Sequence, residues 1–199
     1  MTLARLVVLI SGNGSNLQAI LDACRNSYLP AAVIAVFSNK SEAYGLERAR
    51  QAGVEAIYFP KHEGETRCDY DQRLASDVLL RNPDYIVLAG WMRLLSSTFL
   101  DHFPGRVINL HPALPGVFPG THAIERAYEA WRKGEIDHSG VMIHLVPDEG
   151  VDSGPLLATQ VILFVAGESL EQFEARVHEV EHKLLVETLK GLLSKENSV

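Results

Sequence analysis

Residues 6–21 read LVVLISGNGSNLQAIL, an apolar run followed by a turn of small and polar residues and then by a second apolar segment. The apolar run, the glycines and the helical spacing of the second segment predict a strand, a tight loop and a helix. The first turn of a helix presents unpaired backbone N–H groups and the positive end of the helix dipole, which together bind anions. The stretch therefore predicts an α/β fold with an anion site after its first strand.

The glycine pattern GNGSNL at residues 12–17 differs from the two common nucleotide-binding loops. Leucine stands where the dinucleotide fingerprint requires its third glycine, and the lysine of the ATP-type phosphate loop is missing. A phosphate monoester suits the loop better, because the side chains of Ser15 and Asn16 can add hydrogen bonds to those of the backbone. A glycine-rich turn with a polar helix cap and no ligand is the alternative interpretation.

Strands and helices alternate along most of the chain. Hydrophobic periodicity predicts strands at 5–10, 31–37, 54–59, 85–90 and 106–111, with helices at 16–25, 43–52, 69–80 and 121–133. Two later strands, 140–146 and 156–164, leave no room for a crossover helix, so we expect an antiparallel pair, followed by a helix over 169–193. We predict one α/β domain over residues 1–199: a Rossmann-like open twisted sheet, mostly parallel with a late antiparallel strand pair and helices on both faces.

Composition narrows the functional class. The chain has 199 residues, 18 Lys and Arg against 25 Asp and Glu, and a net charge of −7, so it lacks the basic excess of nucleic-acid-binding proteins. No stretch reaches the roughly 18 apolar residues of a membrane span, and no signal-peptide pattern opens the chain. We expect a cytoplasmic protein with no nucleic-acid or membrane partner and with Cys24 and Cys68 reduced. The oligomeric state does not follow from the sequence.

Two further stretches carry candidate catalytic groups. In RVINLHPALPGVFPG, residues 106–120, Asn109 and His111 lie two apart on a strand, so their side chains project to the same side at its carboxyl end. An amide beside an imidazole can stabilise an oxyanion and exchange a proton. In HLVPDEGVDSGPLL, residues 144–157, glycines at 150 and 154 allow Asp152 to approach that strand end. Purely structural roles are the alternative for all three side chains.

Six segments together resemble a known family. SGNGSNLQAI, AVFSNK, GLERARQAG, GWMRLLS, NLHPALPG and DEGVDSGP occur in the order and spacing of the glycinamide ribonucleotide formyltransferases, folate-dependent enzymes of purine synthesis. The resemblance implies transfer of a formyl group from 10-formyltetrahydrofolate to the amine of glycinamide ribonucleotide, with no metal. It also implies a ribonucleotide-binding N-terminal half and a folate-binding, catalytic C-terminal half.

The resemblance further implies a role for individual residues. Asn109, His111 and Asp152 match the catalytic residues of the family, and Asn109 also faces the folate. The ribonucleotide side comprises Gly14, Ser15, Asn16 and Glu181, and the folate side comprises Met92, Arg93, Leu94, Leu95 and, at the glutamate tail, Arg67.

The expected mechanism is direct attack of the amine on the formyl carbon. Asn109 and a protonated His111 stabilise the oxyanion, and Asp152 keeps that imidazole charged and oriented. A hydrolase that passes the formyl group to water, and a non-catalytic ribonucleotide-binding module, are the alternatives. The family often reads HPSLLP where this chain has HPALP at 111–115, so the sequence leaves open whether the bonds to the prolines at 112, 115 and 119 are cis or trans.

One motif suggests a different class of enzyme. HEVEH at residues 178–182 fits HExxH, in which two histidines one helical turn apart hold zinc. The predicted helix around it already has an apolar stripe that gives it a packing role, and few residues remain to supply a third ligand. We therefore expect no metal at this position, with a zinc hydrolase as the alternative.

Overall fold

The computed structural model describes residues 3–196, which form one seven-stranded sheet in the order β3-β2-β1-β4-β5-β6-β7. The strands are β1 Ala4–Ile10, β2 Ala31–Ser38, β3 Glu55–Tyr58, β4 Tyr85–Leu88, β5 Val107–His111, β6 His138–Leu145 and β7 Leu156–Leu163. The helices are α1 Ser15–Arg25, α2 Tyr44–Gln51, α3 Arg67–Leu79, α4 Ser97–Leu100, α5 Ala123–Arg132 and α6 Leu170–Glu196. The predicted fold class is confirmed, and the short helix α4 is the element that the sequence did not predict.

Strand β1 is an interior strand, third in the sheet order, and pairs in parallel with β2 on one side and β4 on the other. Its apolar residues alternate between two cores. Leu6, Val8 and Ile10 pack into the core that contains α1 and α6, whereas Val7 and Leu9 pack into the core that contains α3 and α4. A strand buried on both faces has to be apolar at successive positions, which accounts for the run LVVLI.

The strand order determines where loops can meet. Successive strands run from β1 outward to β3, and the chain then returns to place β4 beside β1, so the direction of winding reverses between β1 and β4. Open α/β sheets bind ligands in the crevice outside the carboxyl ends of the strands at such a reversal. Strands β5 and β6 pair antiparallel, as do β6 and β7, which confirms the predicted late antiparallel pair.

Two other sequence expectations concern the backbone and the membrane. All peptide bonds within the described residues are trans, including those that precede the prolines at 112, 115 and 119. Within residues 3–196, no helix combines the length and the hydropathy needed to cross a bilayer.

The loop after β1 packs tightly against the start of α2. Gly14 precedes α1 with a φ of 74°, in the left-handed region that favours glycine. A Cβ atom at Gly14 would lie 2.7 Å from the Cα atom of Gly45, and the Gly45 N–H donates a hydrogen bond to the carbonyl of Gly12 at 3.1 Å. The loop and α2 are therefore held together backbone to backbone.

This backbone contact predicts different losses of folding stability for alanine substitutions at two glycines. Gly64 has a similar φ of 72° but open space around its Cα, so Gly64→Ala should cost only the strain of the left-handed conformation, about 1 kcal/mol. Gly14→Ala should cost at least about 2 kcal/mol, because overlap with Gly45 adds to that strain. Urea unfolding of both variants measures the difference, and equal losses of stability would contradict the role given to the backbone contact.

Candidate active site

A cavity of about 1160 Å³ opens at the carboxyl edge of the sheet. It is lined by the loop 11–16, the segments 88–95, 109–112, 120–125 and 144–152 except for 145 and 147, and His178 and Glu181 of α6. Every site residue predicted from the sequence lines this cavity except Arg67. Segments that are distant in the sequence therefore meet at the place where the strand order reverses.

Asp152 connects the three predicted catalytic side chains. Asn109 donates a hydrogen bond from Nδ2 to Asp152 Oδ1 at 3.0 Å, and His111 Nδ1 lies 3.3 Å from Asp152 Oδ2. The Gly120 N–H donates to the same Oδ2 at 2.8 Å. The loop after β6 thus brings the carboxylate to the end of β5, as the glycines around it suggested, while the catalytic role of the trio stays a prediction.

His144 is a fourth member of this cluster that sequence reasoning missed. It lies on β6 directly opposite Asn109, and only 2% of the residue is exposed. Its Nδ1 donates to the carbonyl of Leu145 at 2.8 Å, so Nε2 of the neutral ring accepts from Asn109 Nδ2 at 3.1 Å. The Nε2 atom also lies 3.6 Å from Asp152 Oδ1. The register between β5 and β6 is the signal that identifies His144, and it was not evident from the sequence.

At the other end of the cavity, Asn16 is directed towards α6. Its Nδ2 donates to Glu181 Oε2 at 3.1 Å, and its buried Oδ1 has no hydrogen-bond partner among the described residues. The side-chain donor that was predicted for a phosphate is therefore engaged by a carboxylate. Anion binding at this end would depend chiefly on the unpaired N–H groups in the first turn of α1.

Arg48 of α2 supports the loop from behind. Its Nε donates to the carbonyl of Asn13 at 2.9 Å, and its Nη2 donates to Asn13 Oδ1 at 2.9 Å. Nη1 donates to Gln18 Oε1 at 3.2 Å. The guanidinium group thus holds the loop in shape through hydrogen bonds that the sequence alone did not indicate.

The predicted folate segment presents two exposed apolar side chains to the cavity. Met92 and Leu94 are 63% and 51% exposed, whereas Leu95 is buried in the core and Arg93 lies over the ring of Tyr70, 4.4 Å from its centroid. An exposed apolar pair beside a cavity offers a surface for a flat aromatic ligand.

Arg67 lies at the start of α3, beyond the residues that line the cavity. It forms an ion pair with Glu149, whose other carboxylate oxygen accepts from the Ser97 N–H at 2.9 Å. Glu149 therefore connects the loop after β6 to both α3 and α4. The predicted role of Arg67 at a glutamate tail stays a prediction, and that role would require the arginine to exchange this partner.

Comparison with known proteins assigns the family. A family model described as formyl transferase matches residues 4–189. The chain belongs to the formyl transferase family. Phosphoribosylglycinamide formyltransferase from Dictyostelium discoideum is 46% identical, over 96% of this chain and 98% of that protein. The protein of the same name from Escherichia coli strain K12 is 44% identical, over 90% and 82% respectively.

Solved structures agree with the sequence comparison. The crystal structure of phosphoribosylglycinamide formyltransferase from Bacillus halodurans superposes with a TM-score of 0.90 at 33% identity, covering 96% of each chain. Glycinamide ribonucleotide transformylase 1 from Symbiobacterium toebii gives a TM-score of 0.88 at 38% identity, covering 95% of this chain and 87% of its own. The family resemblance noted in the sequence is confirmed.

The two histidines of HEVEH have different surroundings in this formyl transferase family member. His178 lines the cavity and donates from Nδ1 to Glu181 Oε2 at 2.8 Å, whereas His182 lies outside the cavity lining with its Nε2 buried. Within the described part of the chain, no group of three or more His, Cys, Asp or Glu side chains is arranged to hold a metal ion. That the protein works without a metal stays a prediction.

Burial is the largest influence on the pKa of His111. It lowers the pKa of the imidazole below its ordinary value, although Asp152 and the carbonyl of Phe118, 3.0 Å from Nε2, act in the opposite direction. Burial also opposes ionisation of Asp152, but neighbouring groups that include the Gly120 N–H bring the pKa of that carboxyl below its usual range. The expected direction of the Asp152 effect is present, whereas desolvation is the larger effect and acts against the charged ring; the protonated His111 of the expected mechanism stays a prediction.

The same balance predicts the result of removing the charge at Asp152. Asp152→Asn should lower the pKa of His111 further, because the carboxylate is the main charge that favours the imidazolium. Asp148→Asn, in the same loop and beside the Gly150 N–H, should leave that pKa unchanged. NMR titration of the His111 ring measures both variants. A His111 pKa that stays constant in Asp152→Asn would show that the carboxylate does not control the ring.

Proposed function

We propose that the protein transfers a formyl group from 10-formyltetrahydrofolate to the amine of glycinamide ribonucleotide, a step of purine biosynthesis in the cytoplasm. The observation that carries the proposal is a single cavity that joins the anion loop at 11–16, the trio of Asn109, His111 and Asp152, and the apolar segment at 92–95. Membership of the formyl transferase family and relatives named phosphoribosylglycinamide formyltransferase support it.

The two substrates would enter the cavity from opposite ends. The phosphate of the ribonucleotide would lie at the N-terminus of α1, where Gly14 leaves the backbone accessible. The pterin would lie against Met92 and Leu94, and the glutamate tail of the folate would extend past the rim towards Arg67. In this arrangement the amine and the formyl group meet beside Asn109 and His111, at the end of β5.

Most of the acceleration would come from proximity and from stabilisation of negative charge. The neutral amine attacks the formyl carbon, and the formyl oxygen becomes an oxyanion. Asn109 supplies an N–H group, but both hydrogens of its Nδ2 are engaged in the ligand-free site, by Asp152 and His144. One of the two hydrogens has to be redirected to the oxyanion. Breaking the hydrogen bond to the His144 ring costs less free energy than breaking the hydrogen bond to the Asp152 carboxylate.

His111 would act on the proton and on the developing charge. In its neutral form, which burial favours, the ring can accept the proton that the amine loses, and the imidazolium then lies beside both the oxyanion and Asp152. When the tetrahedral intermediate collapses, the same proton goes to the folate nitrogen as the carbon–nitrogen bond breaks. The carbonyl of Phe118 keeps its hydrogen bond from Arg126, 2.7 Å long, when His111 turns towards the substrate.

The proposal is tested by following tetrahydrofolate formation from 10-formyltetrahydrofolate with and without glycinamide ribonucleotide. A transferase forms product only when the ribonucleotide is present, and formylated ribonucleotide accumulates in equal amount. Tetrahydrofolate that forms equally fast without the ribonucleotide would instead identify a hydrolase, which uses the same cluster to pass the formyl group to water.

The role of Asn109 predicts a specific kinetic defect. Asn109→Ala removes the amide donor and should lower kcat by roughly 10²–10³-fold, the usual loss for one oxyanion donor, with little change in KM. Gln160→Ala provides the matched control, because Gln160 is exposed on β7 and its side-chain amide donates to the nearby Val161 carbonyl. Steady-state kinetics of the two folded variants makes the comparison, and near-normal turnover in Asn109→Ala would remove Asn109 from the mechanism.

A further inference from the structure

Arg126 of α5 is hydrogen-bonded to the proline-rich loop that follows β5, residues 112–120. Its Nη2 donates to the carbonyl of Phe118 at 2.7 Å and to the carbonyl of Pro119 at 2.6 Å. The guanidinium also lies over the Phe118 ring, 5.9 Å from its centroid. All side-chain hydrogen bonds that Arg126 forms with other described residues go to backbone carbonyls, so its charge is directed at this part of the backbone.

The segment that Arg126 holds, residues 118–120, contacts both members of the imidazole–carboxylate pair formed by His111 and Asp152. The Phe118 carbonyl lies 3.0 Å from His111 Nε2, and the Gly120 N–H donates to Asp152 Oδ2 at 2.8 Å. Arg126 itself lies outside the cavity lining. It can therefore affect chemistry in the cavity only through this segment.

The backbone of the segment is strained. Phe118 has a φ of 48°, in the left-handed region that is unfavourable for a residue with a Cβ atom. Such a conformation persists when surrounding contacts enforce it. Among the described residues, Arg126 is the one helical side chain that hydrogen-bonds residues 115–120. Because the ring of Pro119 fixes its own φ, relaxation of Phe118 would displace the Gly120 N–H as well.

The Phe118 carbonyl needs a donor that does not depend on His111. When the neutral ring carries its hydrogen on Nδ1, towards Asp152, the lone pair of Nε2 faces this carbonyl, and the carbonyl loses the imidazole as a donor. Arg126 donates to the carbonyl whichever nitrogen carries the hydrogen. The segment can therefore keep its position while His111 accepts and returns a proton.

We propose that Arg126 is a positioning residue for formyl transfer, which fixes segment 118–120 against the imidazole–carboxylate pair. The inference rests on the proposed function, because that function supplies the reaction for which the pair is positioned. Since Arg126 does not reach the cavity, its removal should misplace the reacting groups and leave the surfaces that bind the two substrates in place. The defect should therefore appear in kcat and not in KM.

Steady-state kinetics of Arg126→Met tests the inference, because methionine keeps an apolar stem and removes every donor. The value of kcat should fall roughly tenfold or more, with KM for the ribonucleotide and for the folate changed less than about twofold. Arg132→Met is the matched control, since Arg132 lies at the other end of α5 and outside the cavity lining, and its kcat should equal that of the wild type. Near-normal kcat in Arg126→Met would overturn the inference.

A double-mutant cycle with Asp152→Asn separates positioning from a general loss of stability. If Arg126 acts through the imidazole–carboxylate pair, Arg126→Met should lower kcat clearly less in the Asp152→Asn background than in the wild type. Circular dichroism confirms that each variant is folded. Losses of kcat that simply multiply would show that Arg126 stabilises the fold without positioning the pair.

The NMR signal of the Gly120 amide proton provides a readout that requires no turnover. Asp152→Asn weakens the hydrogen bond from this N–H to the carboxylate and should shift the signal upfield. Arg126→Met should shift it in the same direction, whereas Arg132→Met should leave it unchanged. A Gly120 signal that does not respond to Arg126→Met would overturn the inference, even if the wild type transfers the formyl group. A wild type that forms no formylated ribonucleotide would overturn the proposed function, and the Gly120 signal would still decide whether Arg126 positions the segment.

Discussion

The buried carboxylate of Asp152 needs hydrogen-bond donors, and the groups at the catalytic end of the cavity are arranged so that they supply them. Its side chain is 10% exposed, and a buried charge without partners costs several kcal/mol. Asn109 on β5 and the backbone N–H of Gly120 donate hydrogen bonds to it, and His111 Nδ1 lies 3.3 Å from Oδ2. Strand β5 and the proline-rich loop that follows it both contribute donors, so the position of Asp152 depends on how these two segments meet.

Glu181 has a comparable role at the opposite end of the cavity. It is a buried carboxylate on α6 that joins the loop after β1 to His178 through one oxygen atom. Each end of the cavity therefore has an acidic side chain that orients a histidine. The pKa values of the two histidines shift in opposite directions, because desolvation is the larger effect at His111, whereas the hydrogen bond to the carboxylate is the larger effect at His178.

Local sequence patterns were sufficient for the seven strands, for every helix except α4 and for the placement of Asn109 beside His111, because these depend on the period of side chains along a strand or helix. Features that depend on contacts between distant segments could not be predicted in this way. The contact of Asn16 with Glu181 spans 165 residues, and the position of His144 beside Asn109 depends on strand register. The lowered pKa of His111 likewise depends on how deeply the ring is buried, which no local pattern specifies.

The close contact between Gly14 and Gly45 restricts how this family member could evolve. Neither glycine can acquire a side chain without displacing the other segment or Ile10, and Arg48 holds the same two segments together. Single mutational steps at the loop therefore pass through destabilised proteins. His178 on α6, at the same end of the cavity, is exposed. New preferences at the anion end of the cavity are consequently more accessible to natural selection through changes on the helix than through changes in the loop.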